Sequence, residues 1–205
     1  MTLLSKTTTI AAIATAASLS IVATAADAKK GGKGHVGYTT EQAGRVQRVL
    51  VNPYGEADGL LLDNGMAVRF PAHMSDRLTS HVRRGDTIAV QGRSSMNGEI
   101  RAFSVINRQN NQPLFAEPKP YMTMQPPKFV RYAALKPMTV TGRVAHVMRG
   151  KRGEVKSAIL EDGTVARLGK HLTYAALNIQ PGQNVTLTGR GTATRFGRGI
   201  EVETM

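Results

Sequence analysis

Two short stretches of this 205-residue chain concentrate side chains that can do chemistry. "RGKRGEVK" carries Arg149, Lys151, Arg152 and Lys156, and "GTATRFGRG" carries Arg195, Phe196 and Arg198. Guanidinium and ammonium groups pair with phosphate or sulfate, and an arginine beside an aromatic ring offers both an anion contact and a stacking surface. The chemistry these residues imply is therefore recognition of an anionic polymer. Arg167 belongs to the same region of sequence, although the alternation of Val165 and Arg167 leaves its face open.

Residues suited to catalysis or metal binding are sparse. The five histidines are His35, His73, His81, His146 and His171, and no His/Asp/Glu cluster with ligand spacing accompanies the repeated pair, His73 and His171. His73 and His171 each end a strand pattern and precede a helical one, where a capping or packing role is expected. Ser94-Ser95 lacks a Gly-x-Ser-x-Gly frame. No glycine motif leads from a strand into a helix to cradle phosphate. With no cysteine in the chain, thiol nucleophiles, thiolate metal sites and disulfides are excluded. The expectation is a protein that is not an enzyme and needs no cofactor or metal.

The elements that position these residues come in two copies. "LDNGMAVRFPAH" at Leu62 returns as "LEDGTVARLGKH" at Leu160. The same offset joins Gly44 to Gly142, Arg45 to Arg143, Gly65 to Gly163, Arg69 to Arg167 and His73 to His171. After the loss of one residue, Gly85, Gly92 and Arg93 return as Gly182, Gly189 and Arg190. A common offset with a single gap marks an internal duplication of one small domain.

Each copy gives the same element order. In the first, β-branched "AGRVQRVLVN" ends in a Pro-Tyr-Gly turn, and Asp63-Asn64-Gly65 closes a hairpin between Leu60–Leu62 and Met66–Phe70. Met74, Leu78 and Val82 then share one helical face, before strands in "TIAVQGR" and "GEIRAFSVIN". The second copy matches with "VTGRVAHVMR", a hairpin around Asp162-Gly163, Leu172, Ala176 and Ile179 on a helical face, and "PGQNVTLTGR" with "GRGIEVETM". Five strands with one short helix between the third and fourth resembles the OB-fold, a small Greek-key barrel. The expected class is mainly β, with two five-stranded OB-like barrels over residues 43–107 and 138–205. Another small barrel or a split β-sandwich is the competing class.

The resemblance implies a ligand, oligonucleotide or oligosaccharide, on the face of strands 2 and 3, between the loops joining strands 1–2 and 4–5. In the second copy those loops hold Arg149, Lys151, Arg152 and Lys156 on one side and Arg195, Phe196 and Arg198 on the other, around Arg167. The first copy's equivalents, "NPYGEADG" and "SSMNG", are acidic and neutral. Copy two is thus expected to bind and copy one to act as scaffold.

Charge follows the same asymmetry. The net charge of +13 divides as +2 over 29–42, +2 over 43–107, +4 over 108–137 and +5 over 138–205, with Lys6 and Asp27 cancelling. Such a balance favours nucleic acid, acidic glycan or an anionic membrane surface as partner. Residues 1–28 have a basic start, an uncharged apolar run and Ala26-Asp27-Ala28, the pattern of an export signal cleaved after Ala28. Retention as an anchor is the alternative; no later stretch is apolar long enough to span a bilayer. A secreted or periplasmic location follows, with 29–42 as a flexible basic tail. Residues 108–137 hold six prolines and read as an extended linker rather than a helix or central strand. Its Phe115, Tyr121, Met122, Met124, Phe129 and Tyr132 are expected to pack on the barrels, or to dock a protein partner. Envelope scaffolding through that linker is the second functional reading, and metal or stress response through His73 and His171 a third.

Overall fold

A computed structural model describes residues 39–95, 98–120, 125–150, 152–172 and 178–205, all within one compact unit, Val36–Met205. Residues 1–38, Tyr121, Met122, Met124, Lys151 and Ala176 lie outside the described residues.

The first barrel is built from β1 (Thr39–Val51), β2 (Ala57–Leu62), β3 (Ala67–Arg69), β4 (Thr87–Ser94) and β5 (Glu99–Asn107). A 3-10 turn at Ala72–Met74 runs into helix α1 (Ser75–His81) between β3 and β4. The sheet order is β3-β2-β1-β4-β5, and a parallel β3–β5 pairing closes it. The second barrel repeats the plan with β7 (Lys136–Arg149), β8 (Val155–Leu160), β9 (Val165–Leu168), β10 (Asn184–Thr194) and β11 (Gly197–Thr204). A 3-10 turn at Lys170–Leu172 follows β9, as the turn at Ala72–Met74 follows β3. The protein is thus mainly β, with two OB-like barrels.

Why these sequences close into barrels is visible in β1 and β7. Each is long enough to serve two partners. Thr39–Arg45 pair with β4, and Val46–Val51 pair with β2 after a register shift between Val46 and Arg48. β1 accordingly starts at Thr39, inside the stretch expected as a flexible tail. Thr39–Gln42 are needed to satisfy the backbone of β4 out to Arg93. Both hairpin turns use glycine with positive φ, Gly65 at 79° and Gly163 at 91°, which side-chain-bearing residues rarely adopt. Inside the barrels, Leu60, Leu62, Val68, Leu78, Ile88 and Ile100 form one fully buried core, and Val144, Leu160, Ile179, Leu187, Ile200 and Val202 the other.

The linker is more ordered than its prolines led us to expect. Gln112–Phe115 form an edge strand, β6, on β5. Pro113 is tolerated there because an edge strand leaves one side of its backbone unpaired. Lys128–Ala133 form a short helix, α2, directly after Pro127, where a fixed φ suits a helix start. α2 fastens the linker to both barrels. Arg131 pairs with Glu56 at 3.1 Å and lies 4.1 Å from the ring centroid of Tyr54, while Tyr132 donates its hydroxyl to Glu203. Phe115 and Phe129 stay exposed, at 61% and 73%.

The Glu203 carboxylate, helped by burial, pushes the Tyr132 phenol up to about 12. A phenol raised in the folded state contributes stability below its unfolded value near 10 that is lost as pH climbs toward 12. The Tyr132 ring resonances should therefore titrate near 12, and Glu203→Gln should return them toward 10 in an NMR pH series. An unchanged midpoint in Glu203→Gln would refute the contact.

Candidate functional site

The outer face of strands 2 and 3, where the resemblance places a ligand, is not open in either barrel. Leu61 and Ala67 point out of the first barrel, Ile159 and Val165 point out of the second, and with Leu50 and Met148 they form a third buried cluster. These are equivalent residues under the duplication: 50 with 148, 61 with 159, 67 with 165. The barrels therefore meet by an approximate two-fold, the same patch against itself, as in an isologous dimer. β2 (ADGLLL) is buried along its whole length because one side faces the barrel core and the other the partner barrel.

The polar margin of the interface keeps the symmetry in part. Arg48 donates to the Glu161 carbonyl beside the Gly163 turn, while its counterpart His146 lies against Gly65. Arg69 and Arg167, another equivalent pair, converge on one carboxylate, Asp58, at 2.8 and 3.2 Å. Asp58 corresponds to Lys156, so only one barrel supplies the acid. Burial pushes the Asp58 carboxyl up, opposed by the two guanidinium groups. A carboxyl raised in the folded state contributes stability below its ordinary 3.8 that is lost as pH rises through the folded value. Arg167 is thus committed to the interface instead of lying free between the basic loops. Asp58 was not singled out from sequence, because comparing repeats for identity passes over positions where the copies differ in charge.

The remaining expected site residues fall at two places. Arg149, Arg152 and Lys156 flank the β7–β8 turn; Lys151 there lies outside the described residues. Arg152 and Lys156 are exposed, and Arg149 is half-buried and donates to the Gly153 carbonyl at 3.0 Å. Glu154 sits among them, its carboxyl held below the usual range by the amides of Glu154 and Arg152, then by the nearby Lys156 and Arg152 charges. Arg195, Phe196 and Arg198 lie on the β10–β11 hairpin, with the Arg195 guanidinium 4.6 Å from the Phe196 centroid. Arg198 pairs with Asp162 at the β8–β9 turn. Burial alone would raise Asp162, but the Thr164 amide and hydroxyl and Arg198 together hold it low.

The two basic loops stand at opposite ends of β8. The first leads into Val155, and the second meets the turn after Leu160 through Arg198 and the pairing of Gly199 with Val165. Six residues of strand separate them by about 17 Å. Between them the outward face of β8 is covered by the first barrel. The arrangement is a basic rim around a closed interface, with Arg152, Lys156 and Arg195 forming no ion pair among the described residues.

The other repeated residues have local partners. Arg45 donates to the Gly85 carbonyl and Arg143 to the Gly182 carbonyl, each at 2.9 Å, tying the first strand to the turn before the fourth. His171 lies 3.2 Å from the Glu203 carbonyl, whereas the Nε2 atoms of His73 and His81 are buried without a partner among the described residues. Among those residues no three His, Cys, Asp or Glu side chains group as metal ligands, and no helix is long and apolar enough to cross a membrane.

No family model matches this sequence, and no curated protein matches it. Among solved structures the chain is similar to the wild-type single-stranded DNA binding protein from Thermus aquaticus, at 15% identity and a TM-score of 0.25, over 82% of this chain and 91% of that one. A deletion mutant of that protein gives 16% identity and a TM-score of 0.24, over 81% and 92%. A likeness of this size carries no argument about function, and the OB-like topology rests on the strand pairings themselves.

Proposed function

We propose that this protein is an exported, non-catalytic binding protein for single-stranded nucleic acid, held by the basic rim of the second barrel. The observation that carries the reading is the Arg195–Phe196 pair on an exposed hairpin, which offers a cation and a ring surface together. Arg152 and Lys156 add exposed charge at the other end of β8, with no ion-pair partner among the described residues. A single strand lying along this rim would exchange its counterions for these side chains. Because the strand 2–3 faces are buried against each other, the ligand passes over the margin of the interface instead of into it.

Titrating a fluorescent oligodeoxynucleotide with residues 29–205, alongside a sulfated glycan, tests the reading. Binding of the oligonucleotide in preference to the glycan supports it; preference for the glycan would reassign the rim to acidic polysaccharide. Absence of binding to either at low salt would refute it.

Export rests on residues 1–28. Expressed whole in a Gram-negative host, the chain should be recovered from the periplasm with Lys29 as its first residue. A cytoplasmic product beginning at Met1 would contradict export. Protein docking through the linker is the second reading, favoured by the 73% exposure of Phe129. It predicts a salt-resistant partner lost with Phe129→Ala.

A further inference from the structure

The duplication places one groove on each barrel at equivalent positions, and the first is the more basic of the two. In β5, Gln91 pairs with Ser104 and Gly92 with Ala102, so Phe103 is the extra residue of a bulge. In β11, Thr188 pairs with Thr204 and Gly189 with Val202, so Glu203 is the extra residue there. Bulges re-aim a side chain, and here they set corresponding residues on the outer surface of each barrel. Arg93 and Arg190, repeated in the sequence, attend them both. Arg190 lies 3.6 Å from the Glu203 carboxylate, and the Arg93 guanidinium stands 5.9 Å from the Phe103 centroid.

The second barrel keeps a groove of about 610 Å³ at this position. Its lining holds one acid, Glu201, with Lys128, Phe129 and Tyr132 of α2 as a wall, while the adjacent Glu203 is already engaged by Tyr132 and Arg190. His171 finds its partner in the Glu203 carbonyl. In the first barrel the corresponding carbonyl, that of Phe103, is taken by the Ala116 amide at 2.7 Å. His73, the equivalent of His171, lines the groove with its Nε2 buried and unpartnered among the described residues.

In the first barrel the groove, of about 500 Å³, lies between the end of β3 and the strap after β6. Arg101 stands where the other barrel has Glu201, and Lys119 faces it from the strap. Arg101 has no hydrogen-bond or ion-pair partner among the described residues. Among the described residues Lys119 donates only to the neutral Gln125, at 2.9 Å, and the groove's Glu117 is engaged by Arg77. Phe103 is 43% exposed. Uncompensated cations select an anionic occupant and the exposed ring selects a planar one, within the size range of small-ligand sites. Those requirements meet in a nucleotide, and a sulfated sugar satisfies only the first.

We infer that this groove is a nucleotide subsite for the same single strand, with a base on Phe103 and its phosphates on Arg101 and Lys119. The inference rests on the nucleic-acid reading of the rim. Arg69 connects the two regions, since it lines the groove and shares Asp58 with Arg167 of the second barrel.

The test is photocrosslinking of residues 29–205 to an oligonucleotide carrying 5-iododeoxyuridine, with the attachment site read by peptide mass spectrometry. Phe103→Ala is measured in parallel against the oligonucleotide and a sulfated glycan. The expected results are attachment at Phe103 and an affinity for the oligonucleotide about 10-fold lower in Phe103→Ala, with glycan affinity unchanged. An unaltered melting temperature shows that this surface substitution leaves the fold intact. Attachment confined to the rim with wild-type affinity in Phe103→Ala would overturn the groove and leave the rim standing. Equal weakening toward both ligands would also overturn it, because stacking distinguishes them. No oligonucleotide binding by the wild-type chain would overturn both.

Discussion

Ile159→Asp will destabilise the protein by about 4 kcal/mol or more, the scale reserved for an unpaired charge forced into a packed interior. Ile159 is fully buried, yet it points out of its own barrel, into the cluster with Leu50, Leu61 and Val165. The loss therefore measures the barrel–barrel contact rather than either barrel core. Leu61→Ala and Ile159→Ala should each cost about 2–5 kcal/mol. Because the two residues share one cluster, their double mutant should depart from additivity by about 0.5–3 kcal/mol. Urea unfolding of the four proteins checks this. A cost below about 1 kcal/mol for Ile159→Asp would mean the face is open to solvent and free for a ligand.

The second large effect concerns binding. Reversing Arg152, Lys156 and Arg195 to glutamate should lower oligonucleotide affinity by about 100-fold or more at 50 mM salt, since each reversal removes a phosphate contact and adds repulsion. All three are exposed and pair with no carboxylate side chain among the described residues. The stability cost should accordingly stay within about 0.5 kcal/mol per site. Arg198→Glu is the contrasting variant. Its charge is already spent on Asp162, so the change disturbs the β8–β9 turn more than the ligand. If the triple reversal bound as tightly as the wild type, the rim would be ordinary surface.

The barrel topology was legible because two diverged copies carried one pattern of turns and apolar positions. A glycine turn closes a hairpin in each, and Val46, Leu60, Leu62, Met74, Leu78 and Val82, expected on the strands and on α1, are buried in the first core. The closed interface was legible too, though in a weaker signal. "LLL" in β2 and "AIL" in β8 are continuous apolar runs, and a strand with one wet face alternates instead. Read as hairpin arms, these runs left a face free for ligand that the other barrel occupies. Arg167 illustrates the consequence. Its charge and position recommended it as a ligand contact, but its partner, Asp58, lies 109 residues away and has a lysine as its repeat counterpart. The groove on the first barrel escaped for a different reason. Arg101 and Phe103 alternate outward along β5, but only the strand pairings reveal the bulge that aligns Phe103 with Glu203.

The most direct test of the central claim is the salt dependence of oligonucleotide binding to residues 29–205. Five cations, Arg152, Lys156 and Arg195 on the rim with Arg101 and Lys119 in the groove, predict a slope of about −3.5 in log K against log salt for a single strand. A slope near that value that falls to about −1.4 in the triple reversal would establish the rim as the polymer track. A flat dependence, or no binding at 50 mM salt, would contradict it.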